Sequence, residues 1–208
     1  MTFKPKKLFT PPTIGLCLDW ETSGSNWGGD STVDYQGLSF GAIIFSTDTF
    51  QPIKAMYREI KFDSSKYKWS SESEKIHGLS IEHLEKNGVS QEQAAEDLMF
   101  FIVETFLDTP VLFLGHNAEF DIAFTNQLLN TQDCDFGKIA SGKREAHIKL
   151  HHVVLDTSSL GMILLSQHKS EVLFNAMGIT RTEHNALEDA KATLEFARVC
   201  REIFQEAL

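Results

Sequence analysis

The chain has 208 residues, 42% of them hydrophobic and 23% charged, which supplies enough apolar material for a substantial core and excludes collagen-like, repeat and fully disordered architectures. The 19 basic residues are outnumbered by 29 acidic ones, and the resulting formal charge of −10 argues, taken alone, against a partner as negative as nucleic acid. Cys17, Cys134 and Cys200 are odd in number and widely spaced, so they indicate neither a disulfide framework nor a cysteine zinc site, and a reducing, cytoplasmic setting is expected.

No internal repeat and no Gly-, Pro- or Ser-rich linker divides the chain, so one domain over residues 1–208 is expected, with 1–12 as an N-terminal extension. In that extension Lys4, Lys6 and Lys7 are followed by Pro11, Pro12 and Asp19 before any apolar stretch of signal-peptide length. The longest apolar run, residues 98–103, falls far short of the roughly 20 residues that cross a bilayer, and no membrane partner is expected.

Residues 13–20 alternate apolar side chains at Ile14, Leu16 and Leu18, the period of a strand with one buried face. A Ser/Gly/Asn loop at 23–29 precedes two further β-like runs, 38–45 and 53–62, which predict an antiparallel three-strand opening. Ser71 to Glu74 and Ser80 to His83 carry helix-start chemistry, predicting short helices joined by Gly78 and Gly88. Residues 91–107 form an amphipathic helical pattern that Pro110 ends. A short buried strand at 111–114, a helix at 118–129 and a strand at 152–155 follow, then helices at 160–166, 170–177 and 185–208. The 16 Phe against 3 Tyr and 3 Trp assign aromatic surface mainly to core filling. Strands first and then alternating helices and strands predict an α/β domain with a mixed five-stranded sheet flanked by helices.

Asp19 and Glu21 are two apart on the first strand and therefore share a face, with like positions roughly 7 Å apart. Like charges that close raise each other's pKa unless a cation lies between them, which invites Mg²⁺ or Mn²⁺. Asp121 falls in the first turns of a helix, where the helix dipole alone is sufficient reason for an acid. Asp189 is different, because its helical neighbours at spacings of three and four, Thr193, Phe196 and Cys200, form the core-facing stripe. An inward carboxylate left unpaired costs several kcal/mol, so either a cation or a basic partner should meet it. Asn185 and Glu188 are spaced as a capping box, with His184 just before that helix.

The ordered set Asp19-Trp20-Glu21-Thr22, His116-Asn117-Ala118-Glu119-Phe120-Asp121 and His184 with Asp189 resembles the three motifs of the DEDDh exonuclease family, which includes the proofreading subunit of bacterial DNA polymerase III, ribonuclease T and oligoribonuclease. Ile76-His77-Gly78-Leu79-Ser80 and Asp156-Thr157 also look like family landmarks, so the resemblance covers roughly residues 12–204. It implies a ribonuclease H-like fold, with Asp19, Glu21, Asp121 and Asp189 as ligands of two Mg²⁺ or Mn²⁺ ions and His184 as general base. Two ions about 3.5 to 4 Å apart stabilise both the attacking and the leaving oxygen of a phosphodiester, and an imidazole can take the proton of the attacking water near neutral pH. The activity implied is 3′-to-5′ hydrolysis of single-stranded DNA from a free 3′ end, releasing nucleoside 5′-monophosphates. The alternatives are an exoribonuclease of the ribonuclease T or oligoribonuclease kind, or a polymerase-associated or binding accessory protein. A homodimer or a polymerase partner is compatible with the same resemblance.

Thr22 and Ser23 follow the first motif where family members contact the terminal nucleotide, and Asn117 sits beside the second motif; all three are candidate substrate contacts, with turn and cap roles as the plain alternative. Trp20 should point into the core by strand parity, which makes Trp27 the better candidate to stack on a base, with a partly buried loop anchor as the plain alternative. His77 and His116 do not match the catalytic histidine, and Asp156 reads as a strand-end or cap residue. Residues 138–152 are the most basic stretch and read as a loop in which Lys143 and Arg144 are candidate phosphate contacts, with a solvated face as the plain alternative.

Overall fold

A computed structural model describes residues 12–26, 28–107, 109–134, 136–138, 148–181 and 184–206. One mixed sheet contains β1 (Ile14–Thr22), β2 (Gly37–Ser46), β3 (Pro52–Glu59), β4 (Val111–Gly115), β5 (Phe136–Lys138) and β6 (Ile148–Asp156), in the order β3-β2-β1-β4-β6-β5. The first three strands pair antiparallel, while β4 is parallel to β1, and β6 is parallel to both β4 and β5. Around the sheet lie α1 (Ser71–His77), α2 (Ile81–Asn87), α3 (Gln91–Phe106), α4 (Ala118–Leu129), α5 (Thr157–Leu165), α6 (Ser170–Ala176) and α7 (Ala186–Glu206).

Alternation along β1 divides the core in two. Leu16, Leu18 and Trp20 pack with Phe40, with Leu98, Phe101 and Ile102 of α3, and with Phe124 and Leu128 of α4. On the opposite face Cys17, Ile43, Phe45 and Leu114 pack against Ala190, Leu194 and Ala197 of α7. Full burial of a large apolar side chain is worth about 1.5 to 3 kcal/mol, so each face is a substantial source of stability.

The helix starts follow from local chemistry. Ser70, Ser80 and Ser90 each accept a backbone N–H three residues ahead, at 3.3, 3.1 and 3.2 Å, which satisfies one of the free amides of α1, α2 and α3.

The sheet has six strands where the sequence pattern predicts five. The sixth, β5, spans three residues and is too short to show a period. β6 begins at Ile148, four residues before the expected start, with Ile148 and Leu150 buried; the His151-His152 pair interrupts the apolar alternation that marks a strand. Lys149, His151 and His152 therefore stand in a strand and not in a basic loop, while Lys143 and Arg144 lie outside the described residues. α5 starts at Thr157, three residues early, because Asp156 caps it. β1 continues through Thr22, so Asp19 and Glu21 are within the strand.

Candidate active site

The site lies at the carboxyl ends of the adjacent parallel strands β1 and β4, where open α/β sheets place ligands. Asp19 and Glu21 project from the β1 face that α7 covers, as their two-residue spacing requires. Asp189 reaches the same point because α7 lies almost on the sheet. Gly41 on β2 is the cross-strand partner of Asp19, and a Cβ built there would come 2.3 Å from Leu187 Cα and 2.5 Å from the Ala186 carbonyl carbon. The bare glycine thus sets the height of the α7 N-terminus. One carboxylate oxygen from each of Asp19, Glu21 and Asp189 lies within 4.8 Å of the others.

The fourth acid arrives from the other face. Asp121 sits in the first turn of α4, 2% exposed, with Oδ2 buried and without a hydrogen-bond partner among the described residues. Gly115 makes room for it, since a Cβ there would lie 3.0 Å from Asp121 Oδ2. Trp20 Nε1 donates to Thr125 Oγ1 at 3.1 Å, and that hydroxyl donates to the Asp121 carbonyl at 2.7 Å, joining the core side of β1 to α4. Trp20 is a core residue, as parity predicts. Asn117 precedes α4 in a left-handed conformation, φ 62°, and its side chain provides no cap. Asp156 acts there instead: its Oδ2 accepts from Ala118 N at 3.2 Å, and its Oδ1 accepts from Ser158 N and Ser159 N at 2.7 and 3.1 Å. One carboxylate caps α5 and ties down the start of α4.

Burial pushes the carboxyls of Asp19 and Asp121 well above the ordinary carboxylate range, and neighbouring acids add to it. Burial and the charge of Asp189 push Glu21 up to about 7. Asp189 is also raised by burial, with Arg181 acting in the opposite direction through an Nη1–Oδ1 contact of 2.5 Å. Such a centre is costly without a cation. Oxygen-only donors, mutual repulsion and the unpartnered Asp121 Oδ2 fit a hard divalent ion such as Mg²⁺ or Mn²⁺.

His184 is exposed at the entry to α7 and, with Glu21, lines a small opening of about 190 Å³ beside the acids. A cleft of about 320 Å³ has the acids Asp19, Glu21 and Asp121 within its lining, and Ile76 and Phe120 among its walls. Thr22 and Asn117 line it too. Ser23 is not among the lining residues: it is 1% exposed, and its hydroxyl donates to Lys68 O and accepts from Gln36 N. Trp27 lies outside the described residues. His116 pairs with Thr157 Oγ1 at 3.0 Å, and His77 Nδ1 accepts from Leu79 N at 3.0 Å; both rings border the cleft and burial depresses both pKa values.

A family model described as Exonuclease (RNase_T) matches residues 16–197, which span all four acids and His184. The chain belongs to this exonuclease family. Comparison with curated protein sequences finds no significant match. Among solved structures, the chain is similar to the zinc-bound form of E. coli exonuclease I in complex with single-stranded DNA, with a TM-score of 0.72 and 18% identity over 92% of this chain and 41% of that one. It is also similar to E. coli exonuclease I in complex with a dT13 oligonucleotide, with a TM-score of 0.71 and 17% identity over 94% of this chain and 43% of that one. The chain thus spans less than half the length of those chains. The shared fold is the ribonuclease H-like α/β sheet with flanking helices. No helix among the described residues is long and apolar enough to cross a membrane.

Three site residues escape sequence reasoning. Arg181 shows no motif, although the inward position of Asp189 demands a cation or a basic partner. Ile76, 60% exposed on a polar helix, and Phe120, half-buried against Phe124, form apolar walls, and the only sequence signal is the isolated hydrophobicity of Ile76.

Proposed function

We propose that this exonuclease works from the 3′ end of single-stranded DNA and releases nucleoside 5′-monophosphates, using two Mg²⁺ or Mn²⁺ ions held by Asp19, Glu21, Asp121 and Asp189. The observation that carries this reading is the convergence of three carboxylates within 4.8 Å beside a fourth, buried and half unpartnered. When bound, the ions supply Lewis-acid stabilisation of charge on the attacking and leaving oxygens. The protein's own groups do the remaining work. Asp121 and Asp189 are fixed from opposite faces of the sheet by the Trp20–Thr125 contact and by the packing of α7 on Gly41. His184, exposed and next to Glu21 in the side opening, takes the proton of the attacking water.

The terminal nucleotide occupies the cleft between Ile76 and Phe120, a volume suited to one nucleotide and not to a through-going strand. Thr22 and Asn117 contact it. An open groove of about 820 Å³ shares Ser25, Asn117 and Phe120 with this cleft and continues past Gly28 and Gly29, giving the preceding nucleotides a path. Trp27, Lys143 and Arg144, which lie outside the described residues, remain proposed contacts of the nucleic acid. A short contact of this kind needs few phosphate neutralisations, which reconciles nucleic acid with a formal charge of −10. The choice of DNA draws on the solved relatives, whose complexes hold single-stranded DNA and a dT13 oligonucleotide.

The test is digestion of a 5′-labelled single strand with Mg²⁺, alongside a matched RNA. The expected result is a ladder that shortens one nucleotide at a time from the 3′ end, 5′-monophosphate product, arrest by EDTA and slower RNA decay. Digestion that persists in EDTA, or internal cuts, contradicts the reading. Faster RNA decay transfers it to exoribonuclease.

A further inference from the structure

The acidic centre carries a cation of its own. Arg181, on the connection between α6 and α7, brings Nη1 to 2.5 Å from Asp189 Oδ1. The two side chains are only 18% and 13% exposed, so the contact is unlike a solvated surface pair of negligible worth. The connection is held in place: Gly178, φ 68°, closes α6, and Ile179 N donates to Phe174 O at 2.9 Å. Arg181 therefore departs from a fixed turn toward a carboxylate whose oxygen lies within 4.8 Å of those of Asp19 and Glu21. The guanidinium lowers the pKa of both of those neighbours as well.

We propose that Arg181 is a resident counter-ion of the metal-free centre, which competes with the divalent ion for Asp189 and so sets the metal affinity of the site. The inference rests on the reading of the carboxylates as metal ligands. A guanidinium keeps its charge at every working pH, so the competition is permanent. Without an ion, Arg181 offsets part of the repulsion among the four acids. With an ion, Asp189 exchanges a charge-assisted hydrogen bond for coordination, and the ion must overcome the loss of that contact. The alternative, in which Arg181 orients Asp189 for the ion, predicts the opposite change in affinity when the guanidinium is removed.

The experiment measures Mn²⁺ binding to the full chain by titration calorimetry or electron paramagnetic resonance, for wild type, Arg181→Gln and Arg181→Lys. Arg181→Gln is expected to bind Mn²⁺ about tenfold tighter, the fold-change that one lost charge-assisted contact implies, with Arg181→Lys in between. The metal-free Gln variant should melt below wild type and close that gap when saturated with Mn²⁺. Unchanged or weaker Mn²⁺ binding in Arg181→Gln, with wild type binding normally, overturns the inference alone. Absence of Mn²⁺ binding in wild type overturns both the inference and the ligand reading beneath it. A second readout needs no variant: on Mg²⁺ titration of wild type, the Arg181 guanidinium nitrogens should pass from slow to fast rotation by NMR. Slow rotation that persists at saturation also overturns the proposal.

Discussion

The two faces of β1 set opposite physical tasks for one strand. Leu16, Leu18 and Trp20 point to the α3 and α4 side, where they are buried in apolar packing and Trp20 Nε1 has its partner in Thr125. Cys17, Asp19 and Glu21 point to the α7 side, where the apolar packing ends at Cys17 and two acids follow, met by a third from α7. The first face is held by apolar packing, whereas the second carries like charges that a cation or protonation relieves. Stability and chemistry are thus separated by side-chain parity on a nine-residue strand.

Substitutions on the two faces should therefore fail differently. Asp19→Ala is expected to lower exonuclease turnover on the order of 10⁴-fold, as for members of a catalytic set that acts as a unit, while raising the melting temperature in EDTA. Trp20→Ala should do the reverse, costing about 3 to 5 kcal/mol in denaturant unfolding through lost core volume. If Asp19→Ala melts lower than wild type in EDTA, the strain is not where the comparison puts it.

His184→Ala removes the proposed base but no ligand, so turnover should fall roughly 10³-fold with Mn²⁺ binding unchanged. Equal losses of binding and turnover would make His184 part of the ion's environment. Gly41→Val lifts the α7 N-terminus off β2 and should cost about 100-fold in turnover, the scale of an ångström-sized misplacement, and weaken Mn²⁺ binding. Normal kinetics in this variant would mean that Asp189 is positioned by something other than the close packing on Gly41.

The smallest expected effect is on pH dependence. In the metal-free protein the Glu21 carboxyl is pushed up to about 7, so ionising it is harder in the folded chain than in the unfolded one. Its contribution to stability is present below the ordinary carboxylate pKa and is lost as pH rises through about 7. Thermal melts in EDTA should therefore decline toward neutral pH, and Mn²⁺ should reverse the decline by favouring the ionised form. A flat or rising profile in EDTA contradicts the assigned strain.

How far the sequence discloses the molecule depends on the range of the interaction concerned. Parity along β1 places Asp19 and Glu21 on one face because a strand repeats every two residues, and the apolar stripe of α7 turns Asp189 inward for the analogous helical reason. Asp121 is ambiguous from sequence, where the helix dipole is explanation enough; its orphaned Oδ2 becomes visible only when Gly115 of β4 is brought against it. Ser23 reads as a substrate contact by position, yet its hydroxyl is committed to Gln36 and Lys68, across chain separations that no local pattern encodes. The contact of Arg181 with Asp189 depends in the same way on the turn after α6. β5 is hidden by its length, and the start of β6 by two histidines that fall where its pairing with β4 shifts register.

The most direct test of the central claim is an anomalous difference map from crystals of the full chain soaked in Mn²⁺. Two peaks are expected, both in contact with the carboxylates of Asp19, Glu21, Asp121 and Asp189. A map with no peak among those four side chains would contradict that claim.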